Sequence, residues 1–175
     1  LVLSGSIPSS IRSSIYKEIM ERLQGRGIQI VVDAEKALLM EVLPLHPFLI
    51  KPNNYELGEI FGVTLSTKED VILYAKKLQE MGAANVLISM AGDGAVLVAE
   101  DGSTYKSEAP EGKVKNSVGA GDSMVAGFLY GYLKSGIYED AFYYGVCTGS
   151  ASAFSENLAT REEVDTLLRN IKNRA

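Results

Sequence analysis

Short apolar runs alternate with amphipathic stretches along most of the chain. "LVLS" (1–4) reads as a buried strand, and Ile11, Ile15, Ile19 and Leu23 then recur every fourth residue. That spacing keeps them on one helix face, and Gly25 and Gly27 end the pattern. "IQIVVD" (28–33) is the next strand, followed by an Ala/Leu-rich helix to about Val42, a brief buried strand "FLI" (48–50) ending at Pro52, and a helix "YELGEIF" ending at Gly62. Ser66 and Glu69 have the spacing of a capping box for a helix running through Met81 and closed by Gly82. "NVLISM" (85–90) and "AVLVAE" (95–100) are strands, and Asp101-Gly102 signals a hairpin into "STYKSE". From residue 122 onward the pattern is helical, over 122–135, 139–154 and 161–172, the last with Thr160 and Glu163 as a second capping box.

Near-continuous apolar strands separated by helices predict an α/β architecture whose mostly parallel sheet is covered on both faces. Ligands of such sheets gather at the carboxyl ends of the strands. Ser4-Gly5-Ser6, Asp33, Asn53 to Glu56 and Ser89 to Gly94 all fall there. Asp33 reads either as a ligand contact or, in preference, as a helix cap.

Composition removes several classes of function. At 175 residues the chain fits one domain, long enough to bury about two thirds of its unfolded surface. A net charge of −5 lacks the basic footprint of a nucleic-acid binder. The clustered Lys and Arg of "RNIKNRA" read as a helix end. No apolar run approaches the roughly 18 residues that span a membrane. The lone Cys147 excludes an internal disulfide, compatible with the cytoplasm, and reads as a small packed residue. His46, between Leu45 and Pro47, reads as filler in a connection. The chain opens on "LVLSGSIP" without Met or a basic leader, so the expectation is the C-terminal part of a longer protein.

Three constellations could carry chemistry, and each also has a plain structural reading. In "NSVGAGDSM" (116–124), Gly119 and Gly121 let backbone N–H groups turn inward at the positive end of a helix. Such donors suit a transferring phosphoryl group, and Asp122 could accept a proton beside it. The plain reading is a Gly-rich turn with an acidic helix start. In "KPNNYELGE" (51–59), Asn53 and Glu56 share one face and could hold Mg²⁺ through its waters. Equally, they could be a favourable first turn after Pro52. In "LISMAGDGAVLV" (87–98), a Gly-rich bend between strands could admit a nucleotide beside Ser89, or be a plain hairpin.

The order of these three resembles the ribokinase-like (PfkB) family of carbohydrate kinases over essentially the whole chain. "NSVGAGDSMVAGF" is similar to its C-terminal signature, with Asn116-Ser117 where many members have Asp-Thr. "KPNNYE" is similar to its N-x-x-E motif, and "SGSIP" to its strand-end S-G-S-L-P. The resemblance implies a three-layer α/β/α fold, of which this chain is the C-terminal, nucleotide-binding and catalytic portion, without the N-terminal part and β lid. It implies ATP and Mg²⁺ as cofactors, Asp122 as base, and the amides of Gly119, Ala120 and Gly121 as anion hole. Asn53 and Glu56 would arrange Mg²⁺. Ser89, Gly92, Gly94 and Val118 would contact ATP, with residues near Ser152 and Ser155 walling the adenine, and Ser6 would lie near the sugar phosphate. In the family's S-x-G-x-x-G-A run, Ala91 stands where the first glycine belongs, which serves only if its backbone avoids positive φ.

"PFLIKPN" and "ASAFSENLAT" are most like the family's hexose-phosphate branch. That implies phosphorylation of the 6-hydroxyl of fructose 1-phosphate, with tagatose 6-phosphate as the alternative acceptor and a non-catalytic nucleotide-binding fragment as the alternative class. The partners implied are a sugar phosphate and ATP, with a homodimer as one arrangement of the complete protein and neither nucleic acid nor membrane. The family's sugar-gripping residues lie in the half that is missing here, so the isolated chain is expected to be inactive.

Overall fold

The strands of the computed structural model, which describes residues 1–172, form where apolar residues alternate between two buried faces. Leu3, Val32, Ile50, Val86, Ile88, Val96 and Val98 lie in one cluster with residues from four helices. The intervening Val31, Leu49, Leu87 and Leu97 are buried as well. Burial on both faces explains why these strands read as continuous apolar runs.

The elements follow in the order β1 (Val2–Ser4), α1 (Ile15–Leu23), β2 (Val31–Asp33), α2 (Lys36–Val42), β3 (Leu49–Ile50), α3 (Asn54–Phe61), α4 (Lys68–Glu80), β4 (Asn85–Ser89), β5 (Ala95–Val98), β6 (Thr104–Ser107), α5 (Ala120–Ser135), α6 (Tyr138–Phe154) and α7 (Arg161–Lys172). The strands are hydrogen-bonded in sequential order, and β1 to β4 are parallel, with Ser4 opposite Asp33 and Val32 opposite Ile50. The connections over 90–94 and 99–103 are too short for a parallel crossover, so β5 and β6 are added as hairpins. The Asp101-Gly102 signal falls in the second of these.

The chain divides into two compact units, Leu1–Met90 with Val96–Thr104, and Ala91–Ala95 with the chain from Tyr105 on. In the first, Met20 of α1, Leu39 and Val42 of α2, Leu57 of α3, and Val71, Ala75 and Leu78 of α4 all pack on the same strand residues. Successive parallel strands joined by right-handed crossovers place their helices on one face in this way. Asn85 is fully buried but satisfied: its amide donates to the Phe48 carbonyl at 2.8 Å, and its Oδ1 accepts the Glu100 N–H at 3.0 Å.

Several boundaries differ from the pattern reading. Helix α1 begins at Ile15, and Ile11 is half exposed in a turn on Pro8. Strand β2 begins only at Val31. The capping box of α4 is formed by Thr67 and Asp70, not Ser66 and Glu69, because Thr67 takes the extended backbone of an N-cap (φ −125°, ψ 158°) and exchanges hydrogen bonds with Asp70. Thr160 and Glu163 do form the expected box before α7. Asp33 is not the N-cap of α2, a position that Glu35 takes without a side-chain bond. His46 is exposed, with Nδ1 3.1 Å from the Gly82 carbonyl. Cys147 is fully buried, and burial pushes its thiol up to about 12, which leaves it a packing residue. The last three residues of "RNIKNRA" lie outside the described residues.

In the second unit, α5 and α6 run antiparallel with backbone close to backbone. A Cβ at Gly127 would meet the Thr148 side chain and lie 2.5 Å from the Tyr144 carbonyl oxygen. At Gly131 it would lie 2.8 Å from Ala141 Cα, and at Gly149 it would lie 3.0 Å from the Ala120 carbonyl oxygen. Glycine is required at such contacts because even a methyl group needs the helices to part. Gly127→Ala is therefore expected to lower unfolding free energy by about 1–3 kcal/mol, measured by denaturant titration, and Gly136→Ala, with open space around it, serves as a comparison for simple backbone strain.

The turn between β4 and β5 carries its own strain. Ala91 has φ 47°, the left-handed conformation that an L side chain resists, where the related motif has glycine. Ala91→Gly is expected to stabilise the protein by about 0.5–1 kcal/mol, the left-handed penalty relieved less the added chain entropy. A lowered midpoint in the same titration would contradict it.

Candidate active site

Parallel register brings the carboxyl ends of β1 to β4 into one row in the first unit. Ser4 ends β1 opposite Asp33 at the end of β2, and an isolated parallel bridge joins Asn53 to Ser89. Lys51 follows β3, with Nζ 3.3 Å from Asp33 Oδ1 and its side chain only 9% exposed. A buried ammonium needs such a partner, because desolvation without one costs several kcal/mol. Tyr16 of α1 donates its hydroxyl to the carbonyls of Ser4 at 2.8 Å and Gly5 at 3.1 Å. Burial, and then the Asp33 charge, push its phenol above its ordinary range. Ser6 is exposed in the loop after β1.

Asn53 and Glu56 hold each other. Asn53 Oδ1 accepts the Glu56 N–H at 2.8 Å, and Glu56 Oε2 accepts the Asn53 N–H at 2.7 Å, a complete capping box at the start of α3. The structural reading of this pair is thus correct as far as it goes. It does not exhaust the donors, since the Asn53 amide NH₂ and Glu56 Oε1 remain outside the box. Among the described residues, no group of three or more His, Cys, Asp or Glu could hold a metal ion directly. A metal held through waters and phosphate oxygens is the arrangement these two side chains fit.

The second unit carries the Gly-rich turn. Asn116 Oδ1 accepts the Val118 N–H at 3.0 Å, fixing the turn, and Val118 itself is 81% exposed. Gly119 takes φ 77° as the N-cap of α5, so no side chain caps the helix. The Ala120 N–H is committed to the Ser117 carbonyl at 3.2 Å, and the Ser123 N–H to that of Gly119 at 2.9 Å. Among the described residues, Gly119 and Gly121 have no acceptor for theirs. The anion-hole set expected from the sequence is thus narrowed at Ala120. Asp122 stands exposed in the first turn, at the N-terminal end of the helix that has no side-chain cap.

The remaining expected residues fall in different settings. Gly92 is exposed with open space around it, whereas Gly94 is buried against the backbone of Glu108 and Ala109, where a Cβ would come within 2.7 and 2.8 Å. Ser89 is half-buried at the end of β4. Ser155 donates to Glu163 Oε1 at 2.7 Å, and the Thr160 N–H, then the Ser155 and Thr160 hydroxyls, hold the Glu163 carboxyl below its usual range. Ser152 is 3% exposed, with its hydroxyl engaged inside the protein.

Pattern reading missed Lys51, Ser123 and Leu158. A lysine directly after the buried run "PFLI" was a signal for the first, because a charge there must find a partner. The other two depend on contacts between distant segments: Ser123 meets Ser152, and Leu158 lies over Gly119, its Cδ2 3.3 Å from where a Cβ would stand.

The profile of the pfkB family of carbohydrate kinases matches residues 1–164. A 1-phosphofructokinase of Bacillus subtilis (strain 168) is 47% identical over 172 residues, covering 98% of this chain and 56% of that protein. A D-tagatose-1-phosphate kinase of Bacillus licheniformis is 32% identical over 166 residues, 94% of this chain and 54% of that protein. Among solved structures, phosphofructokinase-2 from Escherichia coli in complex with substrates and products superposes with a TM-score of 0.90 at 26% identity, covering 98% of this chain and 56% of that one. The chain spans about half the length of the relatives it matches. With its mostly parallel sheet, its strand-end cluster and its Gly-Ala-Gly-Asp helix start, the chain belongs to the pfkB family of carbohydrate kinases, with the ribokinase-like α/β fold.

Proposed function

We propose that this chain carries the phosphoryl-transfer part of an ATP-dependent, Mg²⁺-requiring kinase acting on fructose 1-phosphate to give fructose 1,6-bisphosphate. The observation that carries the reading is the exposed Asp122 in the first turn of a helix that begins on left-handed Gly119 without a side-chain cap. The 47% identity to a 1-phosphofructokinase supports the choice of acceptor. In the reaction, the 6-hydroxyl oxygen attacks the γ-phosphorus in line, Asp122 takes the hydroxyl proton, and the β–γ bridging oxygen leaves with ADP. The N–H groups of Gly119 and Gly121 donate to the equatorial oxygens as charge develops there. Mg²⁺, when bound to the phosphates, neutralises their charge, and Asn53 and Glu56 order its waters. Ser89, Gly92 and Val118 line the nucleotide's path, and Ser6 lies toward the acceptor phosphate. A lone buried thiol suits a cytoplasmic setting.

A second acceptor is supported by the D-tagatose-1-phosphate kinase among the relatives. It favours a tagatose phosphate bearing its phosphate at C1 over tagatose 6-phosphate. A non-catalytic nucleotide-binding role is the remaining alternative.

The test is a chimera in which this chain replaces the matching segment of the Bacillus subtilis 1-phosphofructokinase. It is expected to phosphorylate fructose 1-phosphate with the highest kcat/KM, ahead of tagatose 1-phosphate and tagatose 6-phosphate. In that chimera Asp122→Asn is expected to lower kcat by about 10²–10⁴-fold, the usual contribution of a general base, with ATP binding nearly intact. A near-normal kcat would remove Asp122 from the role of base. The 175-residue chain alone is expected to show no turnover with any of the three sugars, and measurable turnover would refute the proposed division of the site.

A further inference from the structure

Two serines far apart in sequence share a buried hydrogen-bond chain directly behind the proposed base. The Ala159 N–H donates to Ser152 Oγ at 3.1 Å, and Ser152 Oγ donates to Ser123 Oγ at 2.9 Å. Ser152 and Ser123 are 3% and 8% exposed, so the hydrogen bond between them lies inside the protein. Ser123 is the neighbour of Asp122 in the first turns of α5, and Ser152 is in the last turn of α6. Ala159 belongs to the segment after α6, whose Leu158 also lies over Gly119. The segment 155–159 is therefore tied to the Gly-rich turn and to the start of α5 at two separate points.

Alanine at both positions would fill nearly the same space and leave no buried hydroxyl to satisfy. What the serines add is direction: a donor and an acceptor aligned across two helices hold one relative position, which apolar contact does not. The same end of α6 also takes both the Lys115 and Asn116 N–H groups on the Ala153 carbonyl, at 2.8 and 3.1 Å. The chain entering the Gly-rich turn and the helix leaving it are thus anchored to consecutive residues of α6.

We propose that Ser152 is a positioning residue, whose hydroxyl locks the segment 155–159 to the first turns of α5 so that this segment and the Asp122 carboxylate are held as one body. The catalytic consequence rests on the kinase reading above; the brace itself does not. If nucleotide binding orders the segment, the brace passes that order to the base through Ser123.

Two measurements test this and fail separately. In the 175-residue chain, Ser152→Ala is expected to speed amide hydrogen exchange at Ser123 and Met124 about tenfold, the effect of one buried hydrogen bond, while the amides of residues 130–135 keep their rates. Ser152→Cys, which keeps the volume but is a weak hydrogen-bond partner, is expected to match Ser152→Ala; wild-type exchange in the Cys variant would reduce Ser152 to packing. Adding Ser123→Ala to Ser152→Ala is expected to change little further, as for two members of one interaction, and additive effects would overturn the pairing. In the chimera, Ser152→Ala is expected to lower kcat about tenfold with the KM for ATP changed less than about twofold. An unchanged kcat would overturn the positioning role even if exchange rises. An inactive parent chimera would count against the kinase reading, and exchange at Ser123 and Met124 would still decide the brace.

Discussion

The close contact between α5 and α6 is the constraint on which the second unit depends. Gly127 and Gly131 on one helix and Gly145 and Gly149 on the other remove the side chains that would hold the two backbones apart. The two axes can then approach until main-chain atoms nearly touch, and Ala120 at the start of α5 comes against Gly149 near the end of α6. Without that approach the Ser123 and Ser152 hydroxyls could not reach one another. The first turn of α5, which carries Asp122, is thus placed by backbone packing and braced through the hydrogen bond of the neighbouring Ser123.

In the first unit the organising constraint is parallel register. Because β1 to β4 run the same way, their carboxyl ends open on one edge: Ser4 lies opposite Asp33, and beyond the end of β3 Asn53 bridges to Ser89 at the end of β4. Polar groups concentrate there because helices cover the strand bodies and leave the ends as the place where a charge can be satisfied. Lys51 and Asp33 illustrate the cost: each follows buried apolar residues, and they meet at 3.3 Å. Asn53 and Glu56 show that a structural and a functional reading need not exclude each other. Their reciprocal hydrogen bonds fix both side chains at the start of α3, and Glu56 Oε1, outside the box, would be the oxygen left for the metal-bound waters proposed above.

Much of the fold was legible in the chain because its strands are buried on both faces and its helices on one. Those two burial patterns leave different periods in the sequence, and the glycines and capping residues punctuate them. The helix read over 122–135, which runs from Ala120 to Ser135, and the box at Thr160 and Glu163 were visible for that reason. Where the reading slipped, the local signal was duplicated. Ser66 with Glu69 and Thr67 with Asp70 both satisfy the capping pattern, and only backbone dihedrals distinguish them. Asp33 reads locally as a cap, but a charged partner 18 residues away in the chain claims it.

For the candidate site, "GAGD" before an amphipathic run sufficed to locate a helix start, a flexible turn and an acid, because glycine spacing and charge are local properties. Likewise, the order of the motifs carried the resemblance to a kinase family. What no local pattern contained was which N–H groups stay open, that Ala91 sits at φ 47°, or that Ser152 faces inward. These depend on the meeting of segments tens of residues apart, and one hydroxyl contact does not leave a period in the sequence. The chain's own composition thus determined the kind of chemistry its strand ends and helix start can support, while tertiary packing decided which atoms are free to perform it.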